Sequence, residues 1–243
     1  MTHKTKGIVL RSIKYGETSL VVTLFTEMFG IQTYMVNGVR TSKKSSSQAN
    51  HFQPTAILDL VVYHNENKSM QRIKEFSWAV LYLNLLSDVI KNSIASFMAE
   101  LLHKCLKQPE PNADLFNFCE ASLLELDQAN KIVAANFALF FTLHLTHFFG
   151  FRMTDNFSAG NAVLDLHEGS FIDHQPTHPY FIDGQHAELT AQLLKVMQPY
   201  ELEEFKLNQE IRRILLIRYL EYYALHINDF GQMKTLMVLH EVL

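Results

Sequence analysis

The spacing of apolar residues changes its period once, near residue 77, and this change restricts the fold more than any other feature. Before it, apolar and polar side chains alternate over short runs; in Ser19–Thr26, for example, Leu20, Val22 and Leu24 share one face. After it, apolar residues recur at three- and four-residue intervals, which is typical of helices. The sequence therefore predicts an α+β fold with strands first and helices second.

Five strands are predicted in the first 76 residues, separated by turn signals such as Tyr15-Gly16-Glu17 and Asn37-Gly38. Their predicted bounds are Thr5–Ile13, Ser19–Thr26, Ile31–Val36, Ile57–Tyr63 and Met70–Phe76. A small open sheet would leave its edges unprotected, so five short strands favour a closed barrel. We expect a five-stranded OB-fold over residues 1–77.

The remaining residues, 78–243, are predicted to form a helical domain. A segment near 150–184 is rich in Gly, Pro, Asn, Asp and His, shows no sustained period, and is expected to be an irregular insertion. The predicted helices are Trp78–Leu86, Ile94–Leu106, Ala113–Leu126, Lys131–Phe149, Ala187–Gln198, Gln209–Ile227 and Gln232–Leu243.

One uncharged apolar stretch, Ile132–Phe151, is long enough to suggest a membrane span. It contains Asn136, Thr142 and His144, which would be costly in hydrocarbon, so we expect a buried core helix and no membrane association. The N-terminus lacks the apolar region of a signal peptide, and two cysteines are too few for a disulfide framework. These features predict a cytoplasmic protein.

The net charge of −4 is unevenly distributed along the chain. Residues 1–50 hold seven Lys or Arg against two Glu, a net charge of +5, which leaves −9 for the rest. A basic end on an acidic protein indicates either a localised anionic partner or a solvated basic face.

No phosphate-binding glycine loop, nucleophile elbow or zincin motif is present, so we predict neither an enzyme nor a cofactor. His144 and His147 lie one helical turn apart and fit polar contacts in an aromatic core better than metal ligation. The best metal candidates lie in the irregular segment, for which a hydrated loop is the preferred interpretation. They are His167, His174, His178, Asp173 and Asp183.

Basic residues on the barrel are the candidate nucleic-acid ligands, because cations there would neutralise phosphates. They are Lys4, Lys6, Arg11, Lys14, Arg40, Lys43 and Lys44. Serines around Lys43 and Lys44 make a loop that can follow a backbone without reading bases. Tyr34, Phe25 and Tyr15 fit either base stacking or the barrel core, and Tyr34 is included among the candidates.

Several motifs of the first 54 residues also occur together in one known family. In order, they are the apolar strand ending in Arg11, Tyr15-Gly16-Glu17, Leu24-Phe25-Thr26, Gly30, Gly38-x-Arg40, a basic Ser-rich loop and Phe52-x-Pro54. Their order and spacing closely resemble the N-terminus of the RecO family. The segment Met233–Leu239 is similar to that family's closing helix, though less specifically.

The resemblance implies an N-terminal OB-fold and a C-terminal helical domain. It further implies a nucleoid-associated recombination mediator that binds single- and double-stranded DNA. Such a protein anneals strands coated with single-strand-binding protein and works with RecR to load RecA. It would also capture the acidic, apolar-ended tail of single-strand-binding protein. The cations available to hold the tail's carboxylates are Arg212, Arg213, Arg218 and Lys234.

The chain departs from the family at one point. Many members carry two CxxC pairs that bind zinc in the helical domain, whereas Gly150–Gly184 contains no cysteine here. A family-type zinc finger is therefore excluded. Two other functional classes remain open: a non-enzymatic adaptor whose barrel binds protein, and a metal-dependent hydrolase that uses the histidine-rich segment.

Overall fold

The computed structural model describes residues 1–40 and 48–242. The first five strands form a closed barrel with the strand order β1-β2-β3-β5-β4. The strands are β1 Thr2–Tyr15, β2 Ser19–Thr26, β3 Gly30–Val36, β4 Ile57–Tyr63 and β5 Gln71–Trp78. Strand β4 pairs with β1 to close the barrel, and β3 pairs in parallel with β5. The predicted five-stranded OB-type barrel is confirmed.

Strand β1 is long because it serves two neighbours. Its first half pairs with β4 and its second half with β2, and a bulge between Val9 and Arg11 bends it between them. The alternation seen in the sequence fills the interior, where Val22 of β2 lies opposite Tyr34 of β3 and both are fully buried. Closure thus pairs each strand with two neighbours, although β3 and β5 meet only at Tyr34–Gln71 and Met35–Arg72.

Gly30, which begins β3, has a positive φ of 62° and lies against the chain at Glu110. A Cβ atom at this position would approach the Glu110 carbonyl oxygen to 2.2 Å, so only glycine fits. The connection around Pro109 and Pro111 is therefore packed directly on the barrel.

Six α-helices follow the barrel in the part of the chain that the structure describes. They are α1 Val89–Cys105, α2 Ala113–Gln128, α3 Lys131–Leu145, α4 Gly184–Leu194, α5 Gln209–His226 and α6 Thr235–Val242. Short 3-10 helices occupy Asn50–Phe52, Thr146–Phe149 and Pro199–Glu204. The apolar stretch Lys131–Phe149, with mean hydropathy 1.6, is 67% buried, and α3 is a core helix as predicted.

The predicted helix over Trp78–Leu86 is wrong. Trp78 ends β5, and the Ala79 amide still donates to the carbonyl of Ile57 on the adjacent strand β4. Beyond it, the Tyr82 hydroxyl donates to the Thr55 carbonyl, and the residues that follow form bends and a turn at 85–87. Tertiary hydrogen bonds outweigh the helical spacing of this short apolar run.

The segment predicted to be irregular contains a small antiparallel sheet. Its strands are β6 Val163–Asp165, β7 Ser170–Ile172 and β8 Phe181–Ile182, in the order β7-β6-β8. These strands are too short to produce a readable alternation, which is why the sequence pattern missed them.

The chain divides into two compact units. One comprises Met1–Leu83 and Ala99–Leu124, and the other Asn84–Met98 and Glu125–Leu243. The first unit thus combines the barrel with the second half of α1 and most of α2. The predicted domain bounds, 1–77 and 78–243, remain a prediction.

Candidate nucleic-acid interface

Lys4 and Lys6 project from the outer face of β1, where acidic neighbours offset their charge. Lys6 lies opposite Asp59 of β4, and its Nζ forms a 2.8 Å ion pair with Glu120. The hydrogen bond to Glu120 raises the pKa of Lys6 despite some desolvation, with Asp59 and Glu27 adding to the rise. Lys6 is therefore already engaged by carboxylates.

Arg11 and Lys14 are exposed on the second half of β1, beyond the bulge. Arg40 is half-buried: its guanidinium donates to the Gly16 carbonyl at 3.2 Å and its amide to the Thr18 carbonyl at 3.1 Å. Arg40 thus fastens the segment after β3 to the β1–β2 turn. Lys43 and Lys44 lie outside the described residues.

Tyr34 does not belong to the interface. Its side chain is fully buried in the barrel, so its ring is not available to stack on a base, and burial raises its pKa. Phe25 is also fully buried, with its ring centroid 5.6 Å from that of Phe116. Of the three aromatic candidates, Tyr15 is exposed, at 57%. The structure corrects the assignment of Tyr34 because its position on β3 faces the core.

A groove of about 640 Å³ crosses the outer face of β2 and β3, where Thr23 and Thr33 lie opposite each other. Its walls come from the β4–β5 loop and from the end of α1, all within the first compact unit. The ionisable lining residues are His64, Glu66 and Lys68 from the loop, and His103 and Lys107 at the helix end. OB-folds bind ligands on this face and its neighbouring loops.

The helix end of the groove is electropositive. His103 is half-buried, and its pKa is lowered first by desolvation and then by the positive charges of Arg11, Lys104 and Lys107, against an opposing effect of Glu100. Arg11, predicted from the sequence, therefore acts together with cations from α1. An anion entering here would meet a converging positive field.

Sequence reasoning missed Lys68, His103, Lys104 and Lys107. The run from His103 to Lys107, just before Pro109, is a local cluster of basic residues that could have been noticed. This cluster also has a purely structural explanation, because cations at a helix C-terminus interact favourably with the helix dipole. Only the packing of α1 on the barrel brings it to the groove.

A second groove, of about 760 Å³, lies on the face formed by β1, β4 and β5. Lys4 and Lys6 line it together with Asp59 and Glu75. Among the described lining residues, two positive and two negative side chains balance. Of the predicted cations, Lys4 and Lys6 are therefore separated from Arg11, which neighbours the first groove.

Two family models cover most of the chain. The model described as Recombination protein O N terminal matches residues 1–82, and that described as Recombination protein O C terminal matches residues 86–235. The chain belongs to the RecO family. It is 35% identical to the DNA repair protein RecO of Christiangramia forsetii over 98% of both chains. It is 34% identical to the DNA repair protein RecO of Bacteroides fragilis over 100% of this chain and 99% of the relative.

The histidine-rich segment of this RecO-family chain does not fit a zinc site. His178 Nε2 lies 3.4 Å from the buried Asp165, and His174 Nδ1 lies 2.6 Å from Asp173 on the surface. The rings of His167 and His178 are 4.4 Å apart. Within residues 1–40 and 48–242, no group of three or more His, Cys, Asp or Glu is placed to hold a metal. Asp165 instead accepts the His167 amide and shapes the turn after β6.

A small apolar pocket lies among α3, α5 and α6 in the second compact unit. Leu139, Leu216 and Leu239 contribute apolar surface, and Arg212 and Arg213 stand beside them. Desolvation lowers the pKa of the Arg212 guanidinium, which donates to the Leu207 carbonyl. Arg213 is exposed and helps to lower the pKa of the neighbouring His240, after desolvation.

Proposed function

We propose that this protein is a recombination mediator in DNA repair. It binds single- and double-stranded DNA, anneals strands coated with single-strand-binding protein, and helps RecR to load RecA, without catalysing a reaction. We place it in the cytoplasm, associated with the nucleoid. The observation that carries the proposal is the electropositive groove on the ligand-binding face of an OB-type barrel, in a chain of the RecO family.

Charge and shape both suit the groove to a nucleic-acid strand. Lys68 of the β4–β5 loop and Lys107, two residues after the end of α1, both line the groove. They can neutralise phosphates of an extended strand, with release of condensed counterions. The opposite face of the barrel, where Lys4 and Lys6 meet Asp59 and Glu75, offers no comparable field.

Annealing of complementary oligonucleotides precoated with single-strand-binding protein tests this assignment. The Lys68→Ala/Lys107→Ala variant should anneal more slowly, and its salt slope should flatten by about 0.7 for each single-strand phosphate that the protein no longer neutralises. Lys131→Ala/Lys195→Ala is the matched control: it removes the same charge from exposed positions of the other unit. Wild-type binding that does not respond to salt would contradict the proposal and favour the protein-binding adaptor.

Arg40, Lys43 and Lys44 form a second proposed contact. Replacing all three with Ala should weaken binding of all sequences alike and flatten the salt slope. Because Arg40 also holds the β1–β2 turn, the Lys43→Ala/Lys44→Ala variant separates loss of charge from loss of that anchor. Unchanged DNA affinity in both variants would contradict this assignment.

The apolar pocket in the second unit is the proposed site for the tail of single-strand-binding protein. An acidic peptide with an apolar end needs apolar contact and a nearby cation; Arg213 supplies the cation, and the site would have to open for the peptide to reach Leu216 and Leu239, which are buried. Arg213→Ala should weaken binding of a tail peptide. Arg218→Ala is the matched control on the same helix, because Arg218 is already paired with Glu221 at 2.7 Å. Wild-type tail affinity in the Arg213 variant would exclude this pocket.

A further inference from the structure

We infer that the groove holds a strand by its sugar–phosphate backbone and leaves the bases facing solvent. The inference rests on the proposed strand binding and adds how the strand is oriented. It depends on what lines the groove and on where the aromatic rings of the barrel lie.

The described lining of the groove offers hydrogen bonds, and its apolar members, Ile31, Leu106 and Pro109, carry no aromatic ring. Thr23 and Thr33, which pair across β2 and β3, contribute hydroxyls, and Asn67 and Ser69 of the β4–β5 loop contribute an amide and a hydroxyl. Hydroxyls and amides of this kind bind phosphate and sugar oxygens, while Lys68 and the cations near α1 supply charge. These polar and cationic side chains thus have partners on the backbone of a strand, whereas Glu66 would repel phosphates and so directs them towards Lys68, Lys107 and the hydroxyls.

The aromatic rings that could stack on bases lie elsewhere. Phe25 and Tyr34, on β2 and β3, are fully buried. Within the described residues, the groove lining contains no Phe, Tyr or Trp, and the undescribed stretch 41–47 contains none in its sequence. The exposed Tyr15 and Tyr63 are not part of the lining.

Two imidazole rings belong to the described lining: that of the half-buried His103, and that of His64, one face of which is already covered. The His64 ring stacks on Phe29 with centroids 3.9 Å apart and an interplanar angle of 14°. Stacking of bases on aromatic side chains supplies much of the affinity in many grooves that bind single strands. A strand in this groove forgoes most of that gain, so its bases have little reason to turn inward.

Bases that face solvent remain able to pair. A strand gripped through its phosphates presents its Watson–Crick edges to a complementary strand, and the net neutral face around Asp59 and Glu75 does not compete for that second strand. The groove therefore acts as a backbone holder for annealing and not as a base-sequestering site.

Binding of an oligothymidylate and of an abasic oligonucleotide of equal length tests the inference with the full-length protein. The two affinities should agree within about twofold, with equal salt slopes, and Lys68→Ala/Lys107→Ala should weaken both alike. Thymines in the complex should stay reactive to permanganate. Tyr15→Ala and Tyr63→Ala should leave both affinities unchanged.

Three results would overturn the inference. They are a tenfold or greater loss of affinity for the abasic strand, protection of thymines from permanganate, and a His64→Ala variant that weakens oligothymidylate binding alone. Each of these leaves the proposed strand binding standing. Failure of the protein to bind either oligonucleotide would instead overturn the proposed function, and this inference with it.

Discussion

We predict that His103 couples the proposed strand binding to pH. In the free protein its pKa is lowered from 6.5 by desolvation and by Arg11, Lys104 and Lys107, with Glu100 opposing them. Phosphates in the groove would raise that pKa. The gain in affinity from protonated His103 is therefore complete below the pKa of His103 in the free protein. It is lost as the pH rises through the higher pKa of His103 in the complex.

We therefore expect oligothymidylate affinity to increase as the pH falls below 6.5, by up to tenfold for each unit of pKa rise. Fluorescence titration of the labelled strand across this range measures it. His103→Gln should reduce the pH dependence, whereas the exposed His174, replaced by Gln, should not. An equal pH response in wild type and His103→Gln would show that His103 does not sense the charge of the strand.

We predict that His144 makes the stability of the second compact unit depend on pH. Desolvation is the main cause that lowers its pKa from 6.5 to about 4, and His147 and Arg152 add to it. A histidine kept neutral in the fold stabilises it fully above 6.5, and this contribution is lost as the pH falls towards 4. The loss is on the order of 3 kcal/mol, from about 1.4 kcal/mol per pKa unit.

Thermal unfolding at pH 7 and pH 5 measures this effect. The melting temperature should fall with pH, and it should fall less in His144→Gln, which cannot titrate. The control variant is again His174→Gln, since that ring is 74% exposed. If His144→Gln kept the full pH dependence of the wild type, the assignment to His144 would be wrong.

At the level of elements, the start of α1 shows why a helical period can mislead. The helix begins at Val89, five residues before the predicted Ile94, because Asp88 accepts the amides of Ile90 and Lys91. That aspartate is an N-cap signal present in the sequence. The residues before it are instead fastened by Asp127, which lies some 40 positions away and has no local signature.

Asp127 is the buried anchor of that segment. Its Oδ1 accepts hydrogen bonds from the backbone amides of Asn84 at 2.8 Å and Leu85 at 2.6 Å. Lys91 Nζ donates to the backbone carbonyl oxygen of Asp127 at 2.8 Å. Asp127→Ala should leave two buried or part-buried donors unsatisfied, at about 1–3 kcal/mol each. Asp127→Asn keeps an acceptor oxygen and should be milder. Urea denaturation measures both, and equal stability of the Ala variant and the wild type would contradict this role.

For the whole molecule, we predict folding and annealing without zinc. Four thiolates bind structural zinc strongly enough to decide folding, with apparent free energies of roughly 10–16 kcal/mol in small fingers. This chain has only Cys105 and Cys119, both buried, with pKa values raised by desolvation. The insertion is held by contacts with α5: Gly169 packs against the Tyr222 hydroxyl, which donates to the Phe151 carbonyl.

Elemental analysis of purified protein should therefore find well under one zinc per chain. Treatment with a chelator should leave the melting temperature and the annealing rate unchanged. A stoichiometric metal whose removal unfolds the protein would contradict this prediction and return attention to His167, His174 and His178.

The barrel and the family could both be predicted from the order of residues. Alternation with period two is a local property of each strand, so Ser19–Thr26 and Ile57–Tyr63 were predicted with the bounds that the structure has. The motifs from Arg11 to Pro54 follow one another in a fixed order within a short part of the chain, so they can be recognised without knowledge of the fold. Arg11 was found for the same reason, as a cation that ends an apolar strand.

Which of the predicted cations share a surface depends on how the chain packs. Lys6 lies beside Glu120, and Arg11 lies near His103, although the residues of each pair are more than 90 positions apart in the chain. The burial of Tyr34 likewise depends on which side of β3 faces the core. Charges act through space and burial depends on packing, so neither could follow from the order of residues alone.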